Sequence, residues 1–100
     1  MADPSHEWLA LRDRTEEARL DFIWTDLGVL LTFAAVVETQ YNMGNWEHAE
    51  RTLAEAEKGY FTLLHLFSKA NGLTVELEAK FQSKFKQLRA RLDGLKRLGR

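Results

Sequence analysis

Residues 20–41 read LDFIWTDLGVLLTFAAVVETQY, and the spacing of their apolar side chains decides the fold. Leu20, Ile23, Leu27, Leu30, Ala34, Val37 and Tyr41 recur at alternating steps of three and four. That rhythm places side chains on one side of an α-helix, whereas a half-buried strand needs every second residue. The same alternation returns in Trp46, Ala49, Leu53, Ala56, Tyr60, Leu63, Phe67 and Ala70, and nearly as regularly in Leu77, Phe81, Phe85, Leu88, Leu92, Leu95 and Leu98. Two breaks separate the three seams, Asn42-Met43-Gly44-Asn45 and Asn71-Gly72. Asn and Gly together suit a left-handed helix end and a tight turn. Asn45 and Thr74 are then the candidate N-caps of the second and third helices, and Asp3-Pro4-Ser5 offers a start for the first.

Three seams with short connections predict an all-α, antiparallel, up-down-up three-helix bundle, with helices over about 4–41, 46–70 and 74–98. The 100 residues make one domain. Its 45% apolar and 29% charged content is that of a globular chain, not a disordered one. A first helix unbroken from Pro4 would be roughly 55 Å long against roughly 38 Å for the others, so its first turns would overhang. The alternative is a break between Thr25 and Gly28 that folds the N-terminal part back as a short extra helix. Gly28 costs only about 1 kcal/mol inside a helix and is compatible with either.

The first helix carries a second apolar stripe, Phe22, Val29, Phe33 and Val36, well around from the seam. Either two partner helices cover this wide sector, or the stripe, with Trp8 and Leu11, is an interaction surface. The apolar run Leu27–Val37 is about half the ~20 residues a membrane span needs, and Asp21 and Asp26 precede it. A buried helix of a soluble protein is expected, with no membrane span. The mixed, acidic N-terminus does not read as a signal peptide. The absence of cysteine removes disulfides and thiol chemistry and fits a reducing, cytoplasmic setting.

Residues 33–56, FAAVVETQYNMGNWEHAERTLAEA, resemble one tetratricopeptide repeat. Gly44 stands where that family closes its turn, Trp46 at the aromatic position, and Ala49, Leu53 and Ala56 along the second helix. Val37, Gln40 and Phe61 depart from the pattern, and no second copy lies 34 residues to either side. The resemblance implies protein–protein binding and brings no catalytic residue; a tight helical hairpin of any origin also selects these residues.

The sequence holds no phosphate-binding glycine loop, no nucleophile elbow and no histidine pair at metal-ligand spacing among His6, His48 and His65. Neither catalytic residues, nor a cofactor site, nor a metal site is expected. Asp21 and Glu38, on the most apolar helix, would attract interest only if buried.

Charge is unevenly placed. Residues 1–60 hold twelve acidic and five basic residues, and residues 80–100 hold eight basic residues and Asp93. Complementarity among the helices explains this, as does a basic face of Lys86, Arg89, Lys96 and Arg100 for nucleic acid or anionic lipid, or an oligomer that pairs the basic end of one chain with the acidic half of another. The reading carried forward is a non-enzymatic assembly module binding a second copy or another protein. Nucleic-acid binding through the third helix is the alternative. A small-molecule binder or enzyme with a pocket between helices, near Trp24 and His65, is the third.

Overall fold

The computed structural model describes the backbone of residues 4–99 and the side chains of residues 15–99. Three helices form: α1 (Pro4–Asn42), α2 (Trp46–Ser68) and α3 (Val75–Leu98). Each packs against both others, and no strand occurs among the described residues. The direction reverses at each connection. Tyr41, near the end of α1, meets Trp46 at the start of α2, and Arg19 Nη1 donates to the Lys69 carbonyl just beyond the end of α2.

The two predicted breaks carry the two positive-φ glycines, Gly44 at 82° and Gly72 at 72°. Residues with a Cβ resist that left-handed region, so both turns need glycine. Thr74 caps α3 as its sequence position suggests, its side-chain oxygen accepting from Leu77 N at 3.1 Å. Asn45 precedes α2 but makes no side-chain cap. Its backbone does the work instead, donating to the Gln40 carbonyl at 2.8 Å and accepting from Ala49 N at 2.9 Å.

The seams form one core. Ile23, Leu27, Ala34, Val37, Ala49, Ala56, Leu88 and Leu92 have no exposed surface. Phe67 stacks on Phe81 at 5.1 Å, and the Trp24 edge also meets Phe81 at 5.1 Å. Tyr60 and Phe67 approach Phe85 at 6.0 and 5.4 Å, so one end of the core is aromatic. Beside Tyr60, glycine at position 59 lets α2 lie close to α1: a Cβ there would be 3.0 Å from Leu30 Cδ2. The ends of the seams depart from the pattern. Trp46 is half-exposed, Leu98 nearly so, and Ala70 lies beyond α2. Trp46 packs one edge against Tyr41 and leaves the rest of its ring to water.

α1 is continuous, which overturns the alternative of a break at Thr25–Gly28 and a short extra helix. Ile23, Leu27 and Leu30 are all buried in one seam, and only an unbroken helix holds them in that register. Burial of those side chains, at about 1.5–3 kcal/mol each, outweighs the glycine penalty. At 39 residues α1 is about 58 Å long against about 35 Å for α2. Glu16 meets the segment just beyond α2, its carboxylate accepting from Asn71 N. The turns before it extend past the bundle, consistent with a longest dimension of 66 Å.

Candidate interaction surface

α2 and α3 touch each other as well as α1, so together they cover one side of α1 and leave the opposite side open. The second apolar stripe lies on that open side. Phe22 is 54% exposed, Val29 40%, Phe33 41% and Val36 43%. The partner helices of the same chain therefore do not cover it. Trp8 and Leu11, expected to extend this surface, fall outside the described side chains.

Exposed between the apolar residues are Thr25, Thr32 and Thr39, seven apart in step with Phe22, Val29 and Val36. The Thr32 hydroxyl donates to the Gly28 carbonyl at 3.2 Å and that of Thr39 to the Ala35 carbonyl at 3.1 Å. The Thr32 and Thr39 donors are thus satisfied within the helix and can be covered without loss. A scan for apolar periodicity passes over these threonines; their seven-residue spacing is the signal that finds them. No charged residue interrupts α1 from Leu27 to Val37. By length and composition, residues 15–42 could also cross a membrane. Within that segment Ile23, Leu27, Leu30, Ala34, Val37 and Tyr41 are buried in the core shared with α2 and α3.

Beside this face, α1 and α3 meet at Trp24. Lys84 Nζ sits 3.8 Å from the Trp24 ring centroid and 3.4 Å from its carbonyl oxygen. An open groove of about 370 Å³ runs alongside, lined by Leu20, Asp21, Trp24, Leu77, Lys80 and Phe81. His65 is exposed on α2 and borders neither this groove nor the one on the other side of Trp24. The two residues named for a pocket are therefore not brought together. Asp21 is exposed, and Glu38 is half-exposed, held by Arg91 Nη2 at 2.7 Å. His48 is exposed, His6 lies outside the described residues, and no cluster of three metal-ligating side chains occurs among the described ones.

The basic residues of α3 are divided among its faces. Arg89 and Lys96 converge on the Glu57 carboxylate of α2, at 3.1 and 2.5 Å, and Arg89 also grips Asp93. Burial pushes the Glu57 carboxyl up, but hydrogen bonds from Lys96 and Arg89 outweigh that and hold it below the usual range. The Arg89 guanidinium also lies over the Tyr60 ring, 5.0 Å from its centroid. Lys86 is exposed on another part of the helix, and Arg100 lies outside the described residues. Cross-helix pairing thus takes up much of the charge asymmetry that the sequence displays.

Comparisons with known proteins add no family. No protein-family model, curated protein or solved structure matches this chain. The tetratricopeptide-like spacing over residues 33–56 has a local account: Gly44 supplies the left-handed turn, Trp46 packs edge-on against Tyr41 at 5.3 Å, and Ala49 and Ala56 fill the seam where α2 meets its partners.

Proposed function

We propose that this protein is a non-enzymatic helical assembly module that self-associates as a homodimer through the open face of α1. The observation that carries the reading is the exposure of Phe22, Val29, Phe33 and Val36 on a helix side without charge between Leu27 and Val37. Contiguous apolar surface on that scale marks an interaction site in soluble proteins. A face identical in both copies is what a two-fold dimer requires. Cations paired on Glu57 favour an internal role for α3's charge over a nucleic-acid interface.

Phe33→Glu tests the reading. The native chain is expected to travel at twice its chain mass by light scattering. The variant is expected to travel at the chain mass, with helical content and melting temperature close to those of the native protein. A native chain already at the single-chain mass, or a variant whose mass does not change, would remove this face from the account.

A further inference from the structure

The open face of α1 also specifies how two copies would lie on it, an inference that rests on the self-association proposed above. Phe22, Val29 and Val36 form one row of a seven-residue repeat, and Thr25, Thr32 and Thr39 the other. Both rows are exposed and point away from the buried seam. In a heptad description the larger residues hold the a positions and the threonines the d positions. α1 is therefore two-seamed, with an inner seam closed by α2 and α3 and an outer seam without a partner in this chain.

We infer that a second copy of this chain occupies the outer seam with its own α1 running antiparallel, the two-fold axis passing level with Leu30 and Leu31. Antiparallel helices set a positions against d positions. Here Phe22 of one copy lies across from Thr39 of the other, Val29 from Thr32, and Val36 from Thr25. Phe22 then meets Thr39 rather than a second Phe22, and no layer sets threonine against threonine. The Thr32 and Thr39 hydroxyls keep their intrahelical acceptors, so covering them leaves no donor unpaired.

A parallel pair serves the same sequence badly. It stacks threonine on threonine and Phe22 on Phe22. It also brings Asp21 of each chain alongside Asp26 of the other, a like-charge contact made twice. The antiparallel pair places Asp21 across from Asn42 and Gly28 across from Ala35, so no like charges meet and the backbones can approach closely. Layers from residue 22 to residue 39 span about 27 Å of helix. At a helix width of about 10–12 Å that length presents on the order of 300 Å² per copy, a small interface beside the ~800 Å² per partner of a standard one.

The chain contains no cysteine, so introduced thiols report unambiguously. Thr25→Cys and Val36→Cys are made singly and together and oxidised with glutathione disulfide at neutral pH. Across an antiparallel pair, residues 25 and 36 share a layer, within the ~4.4–6.8 Å Cα separation a disulfide needs. Each residue and its own counterpart lie about 16 Å apart along the axis, too far to bridge. The double variant, and an equimolar mixture of the two single variants, are expected to give covalent dimers. Either single variant alone is expected to give none.

Rapid cross-linking of Thr25→Cys with itself would overturn the antiparallel arrangement while leaving self-association intact. A native chain of single-chain mass would overturn both. A dimeric native protein in which neither the double variant nor the mixture cross-links would place the interface on another face and overturn the inference.

Discussion

Val36 and Val37 are neighbours in sequence and opposites in environment, and replacing each with aspartate should separate assembly from folding. Val37 has no exposed surface, whereas Val36 is 43% exposed. Val37→Asp forfeits about 2 kcal/mol of burial and forces a carboxylate into a seam with no cation for it. Together these cost about 4 kcal/mol or more. Against a total stability of about 5–15 kcal/mol for a domain of this size, the variant should melt far below the native protein or not fold. Val36→Asp leaves the isolated chain within about 0.5 kcal/mol of native, because that site faces water there. In the dimer each copy loses about 1 kcal/mol of further valine burial and must desolvate a carboxylate, for about 3 kcal/mol per copy. The substitution occurs twice, so about 6 kcal/mol is lost, or roughly a 10⁴-fold weakening of the dimer. Circular dichroism melts read the first effect, and light scattering across a dilution series reads the second. The reasoning fails if Val36→Asp unfolds the chain as Val37→Asp does, or if it leaves the dimer as tight as before.

Further outcomes follow from the same geometry. Gly94→Ala should stabilise by about 1 kcal/mol, because a Cβ there meets nothing within 4 Å and alanine is the better helix former; a calorimetric melt should rise by several degrees. Thr74→Ala removes the oxygen that accepts from Leu77 N and should cost about 1 kcal/mol in urea unfolding, with Thr74→Ser recovering most of it. The Glu57 carboxyl titrates lower in the folded chain than in the unfolded one, so its contribution is present above the unfolded value near 4.5 and disappears as pH falls through the folded value. Glu57→Gln should cost about 1 kcal/mol at pH 7 and flatten that acid limb of the stability profile, the modest size reflecting solvent at Lys96 and Arg89.

Much of the fold was legible because its cause is periodic. Ile23, Leu27, Leu30, Ala34 and Val37 announce one helix face by spacing alone, and each of them is buried. The breadth of apolar character on α1 likewise signalled a second stripe, covered or open. What decided between covered and open was the placement of α2 and α3 on the same side, a tertiary fact that α1's own residues do not contain. Contacts between distant residues were illegible for the same reason. Lys84 over Trp24 and the meeting of Arg89 and Lys96 on Glu57 join positions on different helices. Read linearly, Arg89 and Lys96 belonged with Lys86 and Arg100 to a basic face; folded, both converge on Glu57. Asn45 shows a smaller limit. Its residue type suits a cap, but the turn gives it φ −85° and ψ 62°, and its side chain makes no cap hydrogen bond.

The proposed self-association through the open face of α1 makes this chain a dimer in solution whatever the ionic strength. Absolute mass by light scattering behind a sizing column, at low and at moderate salt, tests it most directly. The account predicts twice the chain mass at both, because screening leaves apolar burial in place. A dimer that dissociates as salt is added would contradict it and attribute assembly to the acidic and basic ends of the chain. A single-chain mass at both salts would contradict self-association altogether.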